Sequence, residues 1–196
     1  MATPIGHGLA GLAAYVTFRK QGDPGSTGRP ALGLALLAMF FGIAPDLDFI
    51  PGMLVGRPAL YHHGLSHSLG FCVLAAAAGT LLFSSLGRSR TSMFGLLFCC
   101  YATHLVIDLF GPDGRPPHGI PMFWPLSDDY FHSPVTLIPK VTHAPNVDAP
   151  LTGWIEGAIS WNNLYALTVE SLMIAPLVVL AYVISSRLRS NRQSGS

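Results

Sequence analysis

Charge is what this sequence has least of. Of 196 residues only 11% are Asp, Glu, Lys or Arg, the formal net charge is +1, and no basic run is interleaved with aromatics. A phosphate-tracking groove needs such a run, so nucleic acid is not an expected partner. Cysteine is scarce as well, and Cys72, Cys99 and Cys100 all fall inside apolar stretches, where they serve as small buried thiols. Adjacent Cys99 and Cys100 are poorly placed to pair with each other, and a disulfide framework would need cysteines in the polar loops. The N-terminus lacks the positive charges that precede the apolar core of a secretory signal. Arg19 and Lys20 come after the apolar stretch Ala2 to Phe18, which is therefore expected to be a short helix that stays in the mature protein.

What the chain has in abundance is hydrophobic residues, half of the total, with a mean hydropathy of +0.45. That is a membrane protein's composition. Apolar runs at Ala31 to Ile50, Leu69 to Leu86, Thr91 to Phe110 and Leu164 to Ser185 are long enough to cross a bilayer. Gln21 to Pro30 and the Pro-rich stretch Gly111 to Asn163 read as loops. The expected fold is all-α, a polytopic membrane bundle of about four transmembrane helices plus a short N-terminal helix and an irregular external loop. Residues 1–186 form a single membrane-embedded domain, and 187–196 a disordered basic tail. Lys and Arg accumulate in cytoplasmic loops. Arg19, Lys20, Arg29, Arg88, Arg90, Arg187, Arg189 and Arg192 fall on one side and only Arg57, Arg115 and Lys140 on the other. The tail is then cytoplasmic, and the N-terminus and the long loop are outside.

This topology sorts the ionisable residues. His7, Asp46, Asp48, His62, His63, His67, His104 and Asp108 come from separate segments yet all fall near one membrane face. Ionisable groups within spans cost about 2.5–3.5 kcal/mol each on insertion scales unless paired or functional. Three histidines stand in the six residues His62 to His67, and neutral imidazole is the commonest zinc ligand. A helical segment would put His63 and His67 one turn apart on one face, whereas a loop would bring His62 to His67. His104 and Asp108, spaced i,i+4 in an apolar run, are either a ligand pair or a polar helix contact. Asp46 and Asp48 repel unless a cation lies between them or one is protonated. Glu170, inside the last run, reads as a helix-helix contact. The aromatics Phe123, Trp124, Trp154 and Trp161 fit interfacial anchors.

A His and Asp donor set without thiolates suits zinc, with manganese or iron as alternatives. More donors than one tetrahedral ion uses suggests two or three metals, whose natural chemistry is hydrolysis of a phosphoester. A non-catalytic metal carrier, or a regulatory membrane anchor acting through the tail, is the competing reading.

Gly42-Ile43-Ala44-Pro45-Asp46-Leu47-Asp48, His62-x-Gly64-x-Ser66-His67-Ser68, His104-x-x-x-Asp108 and Trp124-Pro125-Leu126-Ser127 together resemble the YdjM-like family, over Pro4 to roughly Ser127. The resemblance implies an inner-membrane, metal-dependent hydrolase of a family also described as LexA-binding. A more distant likeness is to zinc-dependent phospholipase C and P1 nuclease. It implies that His7, Asp46, His67, His104 and Asp108 are metal ligands. Asp48 is then a general base or an orienting carboxylate, and His62 and His63 hold substrate phosphate or a further metal. His63 stands where the family commonly has Arg. The implied substrate is a membrane lipid or another phosphoester, met on the non-cytoplasmic side of the inner membrane.

Overall fold

The computed structural model describes residues 2–19, 32–114, 116–142 and 150–194. The Gln21 to Pro30 loop and the side chains of Lys20, Arg29, Arg115, Arg189 and Arg192 lie outside these. Among the described residues seven α-helices follow in order: α1 (Pro4–Phe18), α2 (Leu32–Ile43), α3 (Phe49–Leu54), α4 (Leu69–Leu82), α5 (Arg90–Leu109), α6 (Leu151–Ala158) and α7 (Trp161–Ser194). Among the described residues there is no strand, and one antiparallel bridge joins Ile120 to Phe131.

Polar residues at the helix starts set the boundaries. The Thr3 hydroxyl accepts from the Gly6 N–H before α1, Ser68 from Phe71 before α4, and Ser89 from Ser92 before α5. Each satisfies a donor that the first helical turn leaves open. The long loop does the same for α4, since the carbonyls of Met122 and Trp124 accept from Leu69 and Gly70 at 2.8 and 3.1 Å. Trp124, expected as an interfacial anchor, thus also pins the loop to the histidine end of α4.

Helices α1 and α5 form the middle of the bundle, with α2 against both, α4 against α5 and α7 against α1. Lipid is as apolar as these side chains, so close packing rather than water exclusion holds them. Tyr15, Leu34, Leu97, Tyr101 and Leu105 fill the interior. Gly11 and Gly42 let α1 and α2 meet backbone to backbone. A Cβ on Gly42 would strike the His7 carbonyl, and one on Gly11 the Ala38 carbonyl. At the far end, Arg88 donates to the Phe18 carbonyl at 3.4 Å, joining the α4–α5 turn to the end of α1 as the charge pattern requires.

Three stretches are long and apolar enough to cross a membrane: Leu32–Leu54, Arg90–Leu109 and Trp161–Leu188. A fourth arises if Pro58–His67 and α4, bent by 83° to one another, count as one broken span. The sequence predicts an unbroken crossing over Leu69 to Leu86. Helix α4 stops at Leu82, and at 1.5 Å per residue its 14 residues cover only about 21 Å of a core about 30 Å thick. The histidine segment turns away at the α4 N-cap, at 83° to the helix.

Two further differences concern the C-terminal third. The long loop contains α6, whose Leu151, Trp154 and Ile155 share one face, and α7 begins at Trp161 rather than Leu164. Helix α7 also runs past Arg187 to Ser194, where the sequence predicts disorder, because no Gly or Pro lies between Arg187 and Gly195. Glu170 is the helix contact it was expected to be. It is buried in α7, and its Oε2 accepts from the Thr3 N–H at 2.8 Å and the Thr3 hydroxyl at 2.6 Å.

Candidate metal centre

Four segments deliver side chains to one place. His7 comes from α1, Asp46 and Asp48 from the 3-10 turn Ala44–Asp48 that ends α2, His62, His63 and His67 from the bent segment, and His104 and Asp108 from the last turns of α5. All eight candidates from the sequence therefore meet. His7, His67 and His104 are fully buried and Asp108 nearly so. The segment between Tyr61 and Ser68 is made of turns and short 3-10 pieces, so the loop alternative applies and the α-helical one does not. The rings of His62 and His63 both lie 5.0 Å from that of His67. His63 has φ 63°, a strained left-handed backbone for a non-glycine residue, and this conformation turns its ring inward.

The outer nitrogen is already committed in four of the five rings, while both nitrogens of His7 are buried without a hydrogen bond. His104 Nδ1 donates to the Gly42 carbonyl at 2.8 Å. His67 Nδ1 lies 3.2 Å from Asp48 Oδ2, and His62 Nδ1 lies 2.9 Å from Asp48 Oδ1. His63 Nδ1 lies 3.2 Å from Asp113 Oδ2, which also accepts from the Gly119 N–H at 2.9 Å. Carbonyls and carboxylates only accept, so in the neutral rings the proton sits on Nδ1 and each Nε2 presents a lone pair. This is the arrangement in which a second partner fixes the tautomer of a metal-binding histidine.

The inward atoms then crowd together as acceptors. His104 Nε2 is 3.2 Å from His67 Nε2, 3.1 Å from Asp108 Oδ2 and 3.5 Å from Asp46 Oδ1. His67 Nε2 is 3.4 Å from Asp108 Oδ2 and 3.7 Å from Asp46 Oδ1. Ligands about 2.0–2.1 Å from one tetrahedral zinc would stand about 3.3 Å apart. On the other side of the same carboxylate, His7 Nε2 lies 3.4 Å from Asp108 Oδ1 without hydrogen-bond geometry, its ring stacked on His104 at 3.5 Å. His63 Nε2 lies 3.8 Å from Asp108 Oδ2. Asp46 Oδ1, both Asp108 oxygens, His7 Nε2 and His63 Nε2 are buried with no hydrogen bond. Buried acceptors left in this state destabilise a fold, and a divalent cation satisfies them together. The donor set fits such an ion. The sets His67, His104, Asp108 and His7, Asp46, His104 each bring three donor atoms within 4.8 Å of one another, as do His62, His63, His67 and Asp46, Asp48, His62.

Three participants escape sequence reasoning. Asp113 stands just beyond α5 and holds His63, yet it lies in a polar loop with no distinguishing spacing. Gly42 contributes a carbonyl, which no side-chain pattern reveals. Ser66 donates to Asp48 Oδ2 at 3.0 Å, and its carbonyl accepts from the Tyr101 hydroxyl at 2.7 Å. Its place between His62 and His67 was the available signal.

Helical spans enclosing a one-sided His and Asp cluster define a polytopic membrane protein with a candidate metal centre. The family model of the YdjM inner membrane protein matches residues 1–190, and the chain belongs to that family. No curated protein and no solved structure matches it.

Proposed function

We propose that the protein is a membrane-bound, metal-dependent hydrolase of phosphoesters, with its site facing the non-cytoplasmic side. The observation that carries this reading is the convergence of His67 Nε2, His104 Nε2 and Asp108 Oδ2 at separations of 3.1–3.4 Å, with Asp46 Oδ1 3.5 and 3.7 Å from the two histidine nitrogens. Zinc is the ion this donor set suits best, with manganese and iron as the alternatives. When bound, such an ion polarises a phosphoryl oxygen and acidifies water.

The chain's own residues divide the remaining work. Asp46, His67, His104 and Asp108 hold the ion. His7 joins through the second Asp108 oxygen, where a further ion would share the carboxylate. Asp48 spans His62 and His67 and keeps both rings in the required tautomer. His62 and His63, with Asp48, line a cavity of about 790 Å³ beside the cluster. Once protonated on Nε2, the two rings would donate to a phosphate oxygen, and His63 Nε2 could then return that proton. The outward orientation rests on the Lys and Arg bias, with Arg19, Arg88 and Arg90 at the end of the bundle opposite the cluster.

The test is metal content with activity. Protein purified in detergent should retain zinc and, when zinc-loaded, hydrolyse bis(p-nitrophenyl) phosphate or p-nitrophenyl phosphate. Zinc-loaded protein inactive on both, with Asp108→Asn indistinguishable from it, would count against hydrolysis. Absence of bound zinc, manganese and iron together would remove the metal centre itself.

A further inference from the structure

The cavity beside the cluster does not end at its polar residues. Besides Asp48, His62 and His63 it is lined by Phe40, Phe71 and Ala75. Phe40 belongs to α2, and Phe71 and Ala75 to α4, so these three lie within the apolar stretches that cross or enter the membrane. Phe40 and Phe71 remain 48% and 40% exposed. In a bilayer, the surroundings of such side chains are acyl chains. Ala75 stands six residues beyond Leu69, about 9 Å along the α4 axis from the histidine end. A water-soluble ester would have no use for an apolar extension of that depth, and the volume of about 790 Å³ is that of a pocket for a whole small ligand.

We propose that this cavity admits a phospholipid sideways from the bilayer, between α2 and α4. Its apolar chain lies along Phe40, Phe71 and Ala75, and its headgroup phosphate lies at His62 and His63. The proposal rests on the hydrolase reading for what happens to the phosphate, but occupancy of the groove is independent of turnover. The polar and apolar linings are continuous in one cavity, as an amphipathic ligand requires. Pro116, Pro117 and Tyr130 of the long loop complete the lining at the headgroup end, and Met122 and Trp124 of the same loop bond the first turn of α4.

The experiment uses zinc-loaded protein in nanodiscs of phosphatidylethanolamine and phosphatidylglycerol in equal parts. Native mass spectrometry after release counts the phospholipid retained per chain. Phe40→Trp adds bulk at an exposed position, and Ala75→Trp fills the groove from α4. Zinc bound per chain reports whether each variant is folded. The expected result is one phospholipid retained by the wild type, and at least a tenfold lower retained fraction in both variants at unchanged zinc. In parallel, lipid consumption in the same nanodiscs is followed by phosphorus NMR beside turnover of bis(p-nitrophenyl) phosphate. Retained lipid that the plugs displace, without any turnover, supports the groove and removes the hydrolase reading. Turnover of the soluble ester with no lipid retained or consumed removes the groove and leaves the hydrolase reading standing. Retention that either zinc-bearing plug variant leaves unchanged overturns the proposal.

Discussion

If His67 and Asp108 serve one ion, their losses cannot add. Asp108 Oδ2 lies 3.4 Å from His67 Nε2, and the same carboxylate faces His104, His63 and His7. Zinc at a hundredfold excess over its dissociation constant stabilises the folded protein by about 2.7 kcal/mol. For a chain of this size that is a rise in melting temperature of about 5–11 °C. A ligand loss that weakens binding a hundredfold leaves about 0.4 kcal/mol of this at the same zinc concentration, so each single variant forfeits about 2.3 kcal/mol. Independent sites would require the double variant to forfeit about 4.6 kcal/mol, more than zinc contributes, whereas residues of one network share a single loss. The variants are His67→Gln, Asp108→Asn and the pair, chosen to preserve volume. Each is melted in detergent with and without zinc against its own zinc-free midpoint, and zinc per chain is counted. The expected pattern is three variants with almost the same small residual shift. Single variants that each lose half the shift, with a double that loses both halves, would place the two residues in separate environments. His104 and Asp108 would then be a polar helix pair.

Asp48→Asn should weaken zinc binding about 10–100-fold by chelator competition, because Asp48 orients His62 and His67 without being one of the crowded acceptors; unchanged affinity would exclude that role. Gly42→Ala forces α1 and α2 apart at the His7 carbonyl and moves the Gly42 carbonyl that orients His104. It should cost about 1–3 kcal/mol in thermal melts and lower zinc affinity. Gly95→Ala in α5 meets open space and should be neutral or stabilising by about 1 kcal/mol; equal effects at both glycines would refute the crossing argument. In a cysteine-free background, Asp128→Cys should react with an impermeant maleimide on intact cells and Ser190→Cys should not, and the reverse labelling would move the site to the cytoplasmic side.

How much of this was legible beforehand depends on the range of the interaction concerned. Apolar runs of 18 or more residues report burial in lipid wherever they occur, so the all-α membrane architecture followed from Ala31 to Ile50, Leu69 to Leu86, Thr91 to Phe110 and Leu164 to Ser185 with little need of tertiary contacts. The end of the bundle that carries the ionisable groups was legible for a similar reason. Each span reverses the chain, so His7, Asp46, His67 and Asp108 sort to one face by counting crossings. The early end of α4 was not. An apolar run looks the same whether a helix fills it or stops short: α4 begins at Leu69 as expected, where Ser68, Met122 and Trp124 satisfy its first N–H groups, but ends at Leu82. The extension of α7 through Arg187 to Ser194 escaped as well, since a polar, Ser-rich composition describes an exposed helix as readily as a disordered tail.

The residues along the chain tell which donor types are available, at which end of the bundle they gather, and that five histidines and three aspartates in so uncharged a chain need a partner. Only the tertiary structure decided how each is used. Which imidazole nitrogen faces inward depends on what stands behind the other one: the Gly42 carbonyl for His104, Asp48 for His62 and His67, and Asp113 for His63. None of these partners lies within one helical turn of its histidine, so no spacing rule could pair them. The physical reason is that a metal centre is a property of distances of about 3 Å between acceptor atoms. Here those distances are set by backbones from four segments, two of which, α1 and α2, meet at Gly11 and Gly42, glycines that carry no donor side chain.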